Sequence, residues 1–298
     1  MQGIDRPLGA HAAAQMRAYG TQVVAGVRSG WGGADGSTTP TFDLVEQAVA
    51  HAGDIDLSLI FVEPYRVLDA GLEAIASGIH QLAIATCGVP PLDIVRLLRQ
   101  AEGTNTTVFG PGSAGILVPG KVLLGIHEPQ FFQPGSLGIL SCSDALTAGV
   151  AQLLGRAGYG QSIVVSLGSE AIAGTSYEPW LEVLERDPNT EAILLVGQAG
   201  SGDEVAAADF IASDVGKPVF AYLAGLSLPP TRHNRATPHL TRSGADDSST
   251  ANKLAALSRA GVHCAPNMDR LPEIVRNILS QSPIQPAIPC DEAALSSD

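Results

Sequence analysis

The side chains best suited to phosphate chemistry are concentrated in one short segment. Residues 231–244 read TRHNRATPHLTRSG and hold Arg232, Arg235 and Arg242 together with His233 and His239. Guanidinium groups bind phosphate through paired N–H donors, and a histidine can form a covalent intermediate. The segment therefore predicts either a phosphate-handling loop or an arginine-flanked surface loop that contacts an acidic partner. The residue types alone leave both interpretations open.

Glycine-rich turns form a second group of candidate binding elements. They read GIDRPLG (3–9), GPGSAG (110–115), SLGSEAIAG (166–174) and VGQAGSGDE (196–204). Glycine lets the backbone approach a phosphate closely, and a helix N-terminus adds N–H donors and a positive field. Each turn alone is also explained by packing between a strand and a helix. GIDRPLG opens the first helix and the other three turns follow predicted strands, so their joint placement predicts a cradle for a phosphorylated ligand.

Composition excludes several classes of function. The 298-residue chain has a formal net charge of −13 and only three lysines, which argues against general nucleic-acid binding. No apolar run approaches the roughly 18 residues of a membrane span, and the N-terminus has no signal-peptide pattern, so a cytoplasmic location is expected. The four cysteines are far apart in sequence and predict no zinc site or other metal site.

Short apolar runs alternate with amphipathic segments along the chain and would position these turns. Strands are predicted at 22–27, 57–62, 82–86 and 107–110, and in a second series at LGILS, IVVSLG, AILLVG and PVFAYLAG. The second series alternates with predicted helices at 144–157, 176–186, 203–214 and 248–260. This order predicts an α/β protein with two tandem domains and mostly parallel sheets, whose ligand sites lie at the carboxyl ends of the strands.

Five stretches, in this order, resemble the alpha subunit of succinyl-CoA synthetase and related acyl-CoA synthetases. They are AYGTQVVAGV, FGPGSAGILVPGK, ERDPNTEAILLVG, GKPVFAYLAG and KLAALSRAGV. The resemblance extends from Gln2 to about Leu279. It implies a Rossmann-like domain that binds coenzyme A, followed by a flavodoxin-like ligase domain.

The resemblance also implies an activity and a partner. Members of this family are alpha-type subunits of NDP-forming acyl-CoA synthetases, in which a loop histidine carries phosphate to a small carboxylic acid. They pair with an ATP-grasp beta-type subunit that supplies the site for ATP or GTP with Mg. On this likeness, no nucleic acid and no membrane are expected among the partners.

Site residues follow from the resemblance position by position. His239 is the candidate phosphoryl carrier, and Gln198 stands where the family has the glutamate that holds the histidine. The turn Ser141-Cys142-Ser143-Asp144 replaces a phosphate-binding Ser-x-Ser-Gly turn, which leaves Ser141 and Ser143 as candidates and places Asp144 as an N-cap. The positions that would contact coenzyme A are Gly3, Arg6, Gly9, Arg28, Pro64, Gly110, Gly112 and Ser113.

Domain boundaries are predicted at 1–115, 116–135 for a linker, 136–281 for the ligase domain and 282–298 for a disordered tail. By the resemblance, a strand that should precede the phosphate loop is absent, because only Met1 stands before Gln2. A misplaced start codon and a truncated chain are both compatible with this.

Two hypotheses of different classes remain. The first is a catalytic alpha-type subunit. The second is a non-catalytic protein that binds coenzyme A or a partner on the same scaffold, since the phosphate turn and the Gln198 position depart from the family pattern. A dinucleotide-binding oxidoreductase is disfavoured because no GxGxxG motif with a downstream ribose-binding acidic residue is intact.

Overall fold

The computed structural model describes residues 1–28, 39–198, 203–224 and 250–280. Its first part alternates short parallel strands with helices, as predicted. The elements are α1 (Pro7–Ala18), β1 (Gly26–Val27), β2 (Thr41–Phe42), α2 (Val45–Ala52), β3 (Ser58–Ile60), α3 (Val67–Ala76), β4 (Gln81–Ile84), α4 (Pro91–Gly103) and β5 (Thr107–Phe109).

One residue joins the two halves of this first sheet. Strands β1 and β2 pair in parallel, and β3, β4 and β5 form a separate parallel group. Gln2 forms parallel bridges to Val27 on one side and to Ile60 on the other. The strand predicted at 22–27 spans only Gly26–Val27 in the structure, and Gln2 pairs with its last residue.

The second part is a larger sheet with helices between its strands. The elements are β6 (Gly115–Val118), β7 (Val122–Gly125), β8 (Pro134–Ser141), α5 (Asp144–Arg156), β9 (Gln161–Ser166), α6 (Tyr177–Arg186), β10 (Ala192–Gln198), α7 (Asp203–Asp214), β11 (Val219–Ala224), α8 (Thr250–Arg259), β12 (His263–Ala265) and α9 (Leu271–Leu279). The strand order is β12-β11-β10-β8-β9-β6-β7, in which β6 pairs antiparallel with both β7 and β9 and the other pairs are parallel. The α/β class and the mostly parallel pairing are confirmed.

The segment predicted as a linker, 116–135, differs from expectation. It contains most of β6 and all of β7, which extend the second sheet at its edge beside β9. Leu117 and Leu123 are fully buried, so alternate side chains of this hairpin belong to the core. The segment was predicted as a linker because the turns around the hairpin are rich in glycine and proline, although the strands between them are apolar.

The residues that follow helix α1 in the first domain dock on that hairpin. The Thr21 hydroxyl donates to the Leu123 carbonyl at 2.6 Å and accepts from the Leu123 N–H at 3.2 Å. The Tyr19 hydroxyl accepts from the Gly120 N–H at 2.7 Å. These bonds cover polar groups of an edge strand and connect the first domain to the second sheet.

Within the part of the chain that the structure describes, no helix combines the length and the apolar character needed to cross a bilayer. The predicted tail, 282–298, lies outside the described residues.

Candidate functional site

A polar cavity of about 350 Å³ lies where β1 and β3 end and α1 begins. It brings together three of the predicted residues, Gly3, Arg6 and Arg28, and adds Arg66. Three guanidinium groups at the start of a helix provide the donors that a phosphate group needs. Arg66 was missed by the sequence analysis, although it is the basic residue that ends the EPYR turn after β3 and was the available signal.

Two glycines make this turn possible. Gly3 has a φ of 77°, and a Cβ there would lie 2.9 Å from the Phe61 carbonyl carbon. A Cβ on Gly9 would overlap the Gly3 carbonyl oxygen, so α1 can approach the turn only with glycine at that position. The pair brings the helix N-terminus next to the cavity.

Acidic residues share the cavity with the arginines. Arg6 donates from Nη2 to Glu63 Oε1 at 2.7 Å, and both side chains are about half exposed, at 42% and 58%. The cavity lining also includes Asp5, Asp69 and Glu73. Glu73 is already engaged, because its Oε1 accepts from the Val45 N–H at 2.8 Å. Pro64 begins the 3₁₀ turn Pro64–Arg66, beside the carboxylate that engages Arg6.

Gly110, Gly112 and Ser113 lie elsewhere, in a buried turn between the two sheets. The Gly110 N–H donates to the Leu167 carbonyl at 3.1 Å, and the Gly112 N–H donates to the Thr86 carbonyl at 3.1 Å. The Ser113 hydroxyl donates to the Ser166 carbonyl at 2.6 Å. These contacts join the end of β4 to the end of β9, so the turn acts as a structural bridge between the domains.

A thiol and a carboxylate lie beside that bridge. Glu170 Oε1 accepts from the Gly88 N–H at 2.7 Å, and a Cβ on Gly112 would lie 3.1 Å from Cys87 Sγ. Burial raises the pKa of the Cys87 thiol, the charges of Glu170 and Asp144 raise it further, and a hydrogen bond with Ser169 opposes them. The thiol is therefore protonated at neutral pH and is a poor nucleophile.

The predicted phosphate turn is closed by its own hydrogen bonds. Ser141 is fully buried, and its Oγ accepts from the Ser143 N–H at 3.0 Å and from the Thr147 hydroxyl. Ser143, not Asp144, is the N-cap of α5, so the predicted cap is wrong by one position. Asp144 instead accepts from the Ser166 hydroxyl at 2.6 Å, because that strand end lies beside the first turn of the helix.

Burial raises the pKa of Asp144, and hydrogen bonds from Ser166 and from the Ala114 backbone lower it by less. A raised pKa extends the neutral form of the carboxyl group to higher pH. The neutral form repels an anion less than the carboxylate does. An anion at the start of α5 is therefore disfavoured most strongly at high pH.

Gln198 lies at the same edge of the sheet as this turn. Ser141 is in register with Val196 on the neighbouring strand β10, and the Cys142 N–H donates to the Val196 carbonyl at 3.0 Å. Gln198 ends β10 two positions later, and its carbonyl accepts from Lys253 Nζ at 3.1 Å. The structure therefore brings Ser141, Ser143 and Gln198 to one sheet edge, apart from the arginine-lined cavity.

His239 and the arginines of 231–244 lie outside the described residues. Of the other histidines, His127 lies in the loop after β7 and is buried. Its side chain packs against Phe132, and its Nε2 lies 3.3 Å from the Gly115 carbonyl oxygen. Burial lowers the pKa of His127 to about 4, so the ring is neutral and belongs to the core.

Comparisons with known proteins agree with this architecture. Residues 1–88 match the family described as CoA binding domain, and residues 134–278 match the succinyl-CoA ligase like flavodoxin domain. The second match begins at Pro134, where β8 begins.

Curated relatives resemble the chain along nearly its whole length. The alpha 2 subunit of an ADP-forming succinate–CoA ligase from Archaeoglobus fulgidus is 37% identical, over 94% of this chain and 96% of the relative. The alpha subunit of malate–CoA ligase from Methylorubrum extorquens is 34% identical, over 95% of this chain and 96% of the relative.

A solved structure shares the fold. ATP citrate lyase from Methanothrix soehngenii, in complex with citrate and coenzyme A, superimposes with a TM-score of 0.74 at 21% identity. The match covers 85% of this chain but 45% of the lyase chain, so this chain spans less than half the length of that protein.

Proposed function

Because this chain belongs to the family of succinate–CoA ligase alpha subunits, we propose that it binds coenzyme A and relays phosphate to a small carboxylic acid, as the alpha-type subunit of an NDP-forming acid–CoA ligase. The observation that carries the proposal is the arginine-lined cavity at the carboxyl ends of β1 and β3. Ligands of parallel α/β sheets bind at this edge.

The residues present suit the phosphate groups of coenzyme A. Arg6, Arg28 and Arg66 supply guanidinium donors, and Gly3 and Gly9 let the backbone approach closely. The Arg6–Glu63 ion pair is about half exposed, and such a pair is worth about 1 kcal/mol or less, so a phosphate group can displace Glu63. When bound, coenzyme A supplies the thiol that receives the acyl group.

Phosphate relay is the second part of the proposal. His239 is our candidate for the phosphoryl carrier and Gln198 for the side chain that orients it, with the Ser141–Ser143 turn receiving the phosphate at the start of α5. The support is that the turn and Gln198 share one sheet edge, on paired strands. An amide orients an imidazole through a hydrogen bond, although it stabilises an imidazolium less than a carboxylate does.

We further propose that an ATP-grasp beta-type subunit supplies ATP or GTP with Mg, so that the working enzyme is a hetero-oligomer in the cytoplasm. The relatives named above are alpha subunits, one of an ADP-forming succinate–CoA ligase and one of a malate–CoA ligase, which supports a partner of the beta type.

A specific observation favours a second candidate function, a non-catalytic protein that binds coenzyme A. The Asp144 carboxyl group lies in the first turn of α5, where the relay requires an anion, and the Ser141 hydroxyl is engaged within its own turn. In this alternative the arginine-lined cavity still binds its ligand, while no phosphate passes through the ligase domain.

Incubation of the chain and its beta-type partner with γ-labelled ATP separates the two candidates. The relay predicts an acid-labile, base-stable label that is lost in His239→Asn and retained in the matched control His233→Asn. Absence of label from the wild-type chain, together with a rise in melting temperature on addition of coenzyme A, supports the non-catalytic candidate instead.

A further inference from the structure

A fully buried ion pair contacts the last two residues of β10. Lys253 Nζ is 2.9 Å from Glu204 Oε2, and both side chains have 0% exposure. The same ammonium group donates to the Gln198 carbonyl at 3.1 Å. Lys253 belongs to α8 and Glu204 to α7, so three elements meet at this contact.

The carboxylate is also packed against the strand itself. A Cβ on Gly197 would lie 2.6 Å from Glu204 Oε1, so glycine at this position lets Glu204 reach the backbone of β10. The ion pair therefore contacts Gly197 on one side and the Gln198 carbonyl on the other, and it fixes the last peptide groups of the strand.

Stability alone does not explain such a pair. Removing two charges from water is costly, and apolar side chains of similar volume are often as stable or more stable in their place. What the pair provides, despite this desolvation cost, is a defined backbone geometry at the end of β10, at the residue that carries the Gln198 side chain. Positioning of a neighbouring group is a better account of the pair than packing.

We propose that the Glu204–Lys253 pair is a positioning element for phosphoryl transfer, acting through the backbone of Gln198. This inference rests on the proposed function. The two residues need not touch the substrate, since their effect is to hold the carbonyl and thereby the direction of the Gln198 side chain. Misplacement of a catalytic group by about 1 Å costs on the order of 100-fold in rate.

The test compares the single variants Glu204→Met and Lys253→Met with the double variant, each in complex with the beta-type partner. Each single variant removes one charge of the buried pair and leaves the opposite buried charge without its compensation at this contact, so it is expected to lower the melting temperature by roughly 10 °C. The double variant is expected to recover most of that loss. Its rate of histidine phosphorylation from γ-labelled ATP is nevertheless expected to stay at least about tenfold below wild type.

A matched control is the exposed pair Glu182–Arg186, in which Arg186 Nη2 lies 2.6 Å from Glu182 Oε1. Replacing both of these residues by methionine is expected to change neither the melting temperature nor the phosphorylation rate. If the buried double variant fails to fold, Glu204→Asp is measured instead. That variant keeps both charges but withdraws the carboxylate from Gly197, and its phosphorylation is expected to slow by at least about threefold.

The outcomes separate this inference from the function on which it rests. A wild-type complex that labels normally, with a double variant or Glu204→Asp that labels at the wild-type rate, overturns the positioning role alone. A wild-type complex that takes up no label overturns the relay and the positioning role together. Slow labelling in a variant with a recovered melting temperature supports the pair as a positioning element.

Discussion

The buried amino group of Met1 makes stability depend on pH in a way that can be calculated. Its nitrogen donates to the Ala25 carbonyl at 2.8 Å, and burial lowers the pKa of this amine from 8.0 to about 5. In the unfolded chain the amine keeps its ordinary pKa. Between about pH 8 and pH 5 the unfolded chain therefore binds a proton that the folded chain does not.

The sign and size of the pH effect on stability follow from that difference in bound protons. A state that binds more protons is favoured as the pH falls, so the free energy of unfolding decreases from about pH 8 down to about pH 5. A drop in the pKa from 8.0 to about 5 corresponds to a loss of about 4 kcal/mol in the free energy of unfolding. The loss is complete once the pH is below the pKa of the amine in the folded chain.

Acetylation of the amino terminus isolates this contribution. The acetyl group removes the titration but keeps an N–H donor for the Ala25 carbonyl, and the cavity of about 580 Å³ that Met1 lines has room for it. Denaturant unfolding of the free and acetylated chains is measured from pH 8.5 to pH 5. The difference in unfolding free energy is expected to grow by about 4 kcal/mol toward the acid end.

His127 adds to the pH dependence of both chains equally. Its pKa is lowered from 6.5 to about 4, so its contribution to stability is lost as the pH falls from about 6.5 to about 4. Because this contribution cancels in the comparison, a difference between the two chains that does not change with pH would refute the account of Met1.

Three further predictions concern the glycine turn, the phosphate turn and the cavity beside Met1. Gly9→Ala is expected to lower the unfolding free energy by about 2 kcal/mol or more in denaturant titration, because the added Cβ overlaps the Gly3 carbonyl oxygen. The control Gly103→Ala adds its Cβ in open space and is expected to be neutral or stabilising. Asp144→Asn is expected to speed histidine phosphorylation by at least about threefold at pH 8, since it removes a charge from the start of α5; unchanged labelling would contradict this. In a third test, Met1 is extended by about five alternating valine and threonine residues, with a glycine–serine extension of equal length as the control. The valine–threonine extension is expected to raise the melting temperature by several degrees relative to the control. The reason is that Gln2 already pairs in parallel with both neighbouring strands and the cavity continues from it. Equal melting temperatures for the two extensions would count against that pairing.

Much of the fold followed from apolar periodicity. Helix α7 was predicted at 203–214 and spans Asp203–Asp214, and α5 was predicted at 144–157 and spans Asp144–Arg156. In both segments the apolar side chains that face the sheet recur at helical spacing. The β6–β7 hairpin was not predicted, because the Gly and Pro turns that flank it are typical of a linker. The signal in its favour is the alternation of buried positions in each strand, which includes Leu117 in β6 and Leu123 in β7.

The site was only partly predictable. Gly3, Arg6 and Arg28, which were predicted from their turns, line one cavity, and their contact with coenzyme A stays a prediction. The Glu204–Lys253 pair could not be predicted, because the contact depends on the packing of α7 against α8 and neither sequence position carries a motif. The burial of His127 likewise depends on the hairpin that the sequence analysis took for a linker.

The central claim is that the cavity of Gly3, Arg6, Arg28 and Arg66 holds the diphosphate of coenzyme A. Its most direct test is the dissociation constant of coenzyme A, measured by titration calorimetry for the wild-type chain and for Arg28→Ala/Arg66→Ala, with pantetheine as the ligand that lacks the diphosphate. We expect the double substitution to weaken coenzyme A binding by at least about 100-fold, because two charge-assisted contacts are lost, and to leave the weaker binding of pantetheine unchanged. Equal affinity of the wild-type and substituted chains for coenzyme A would contradict the claim.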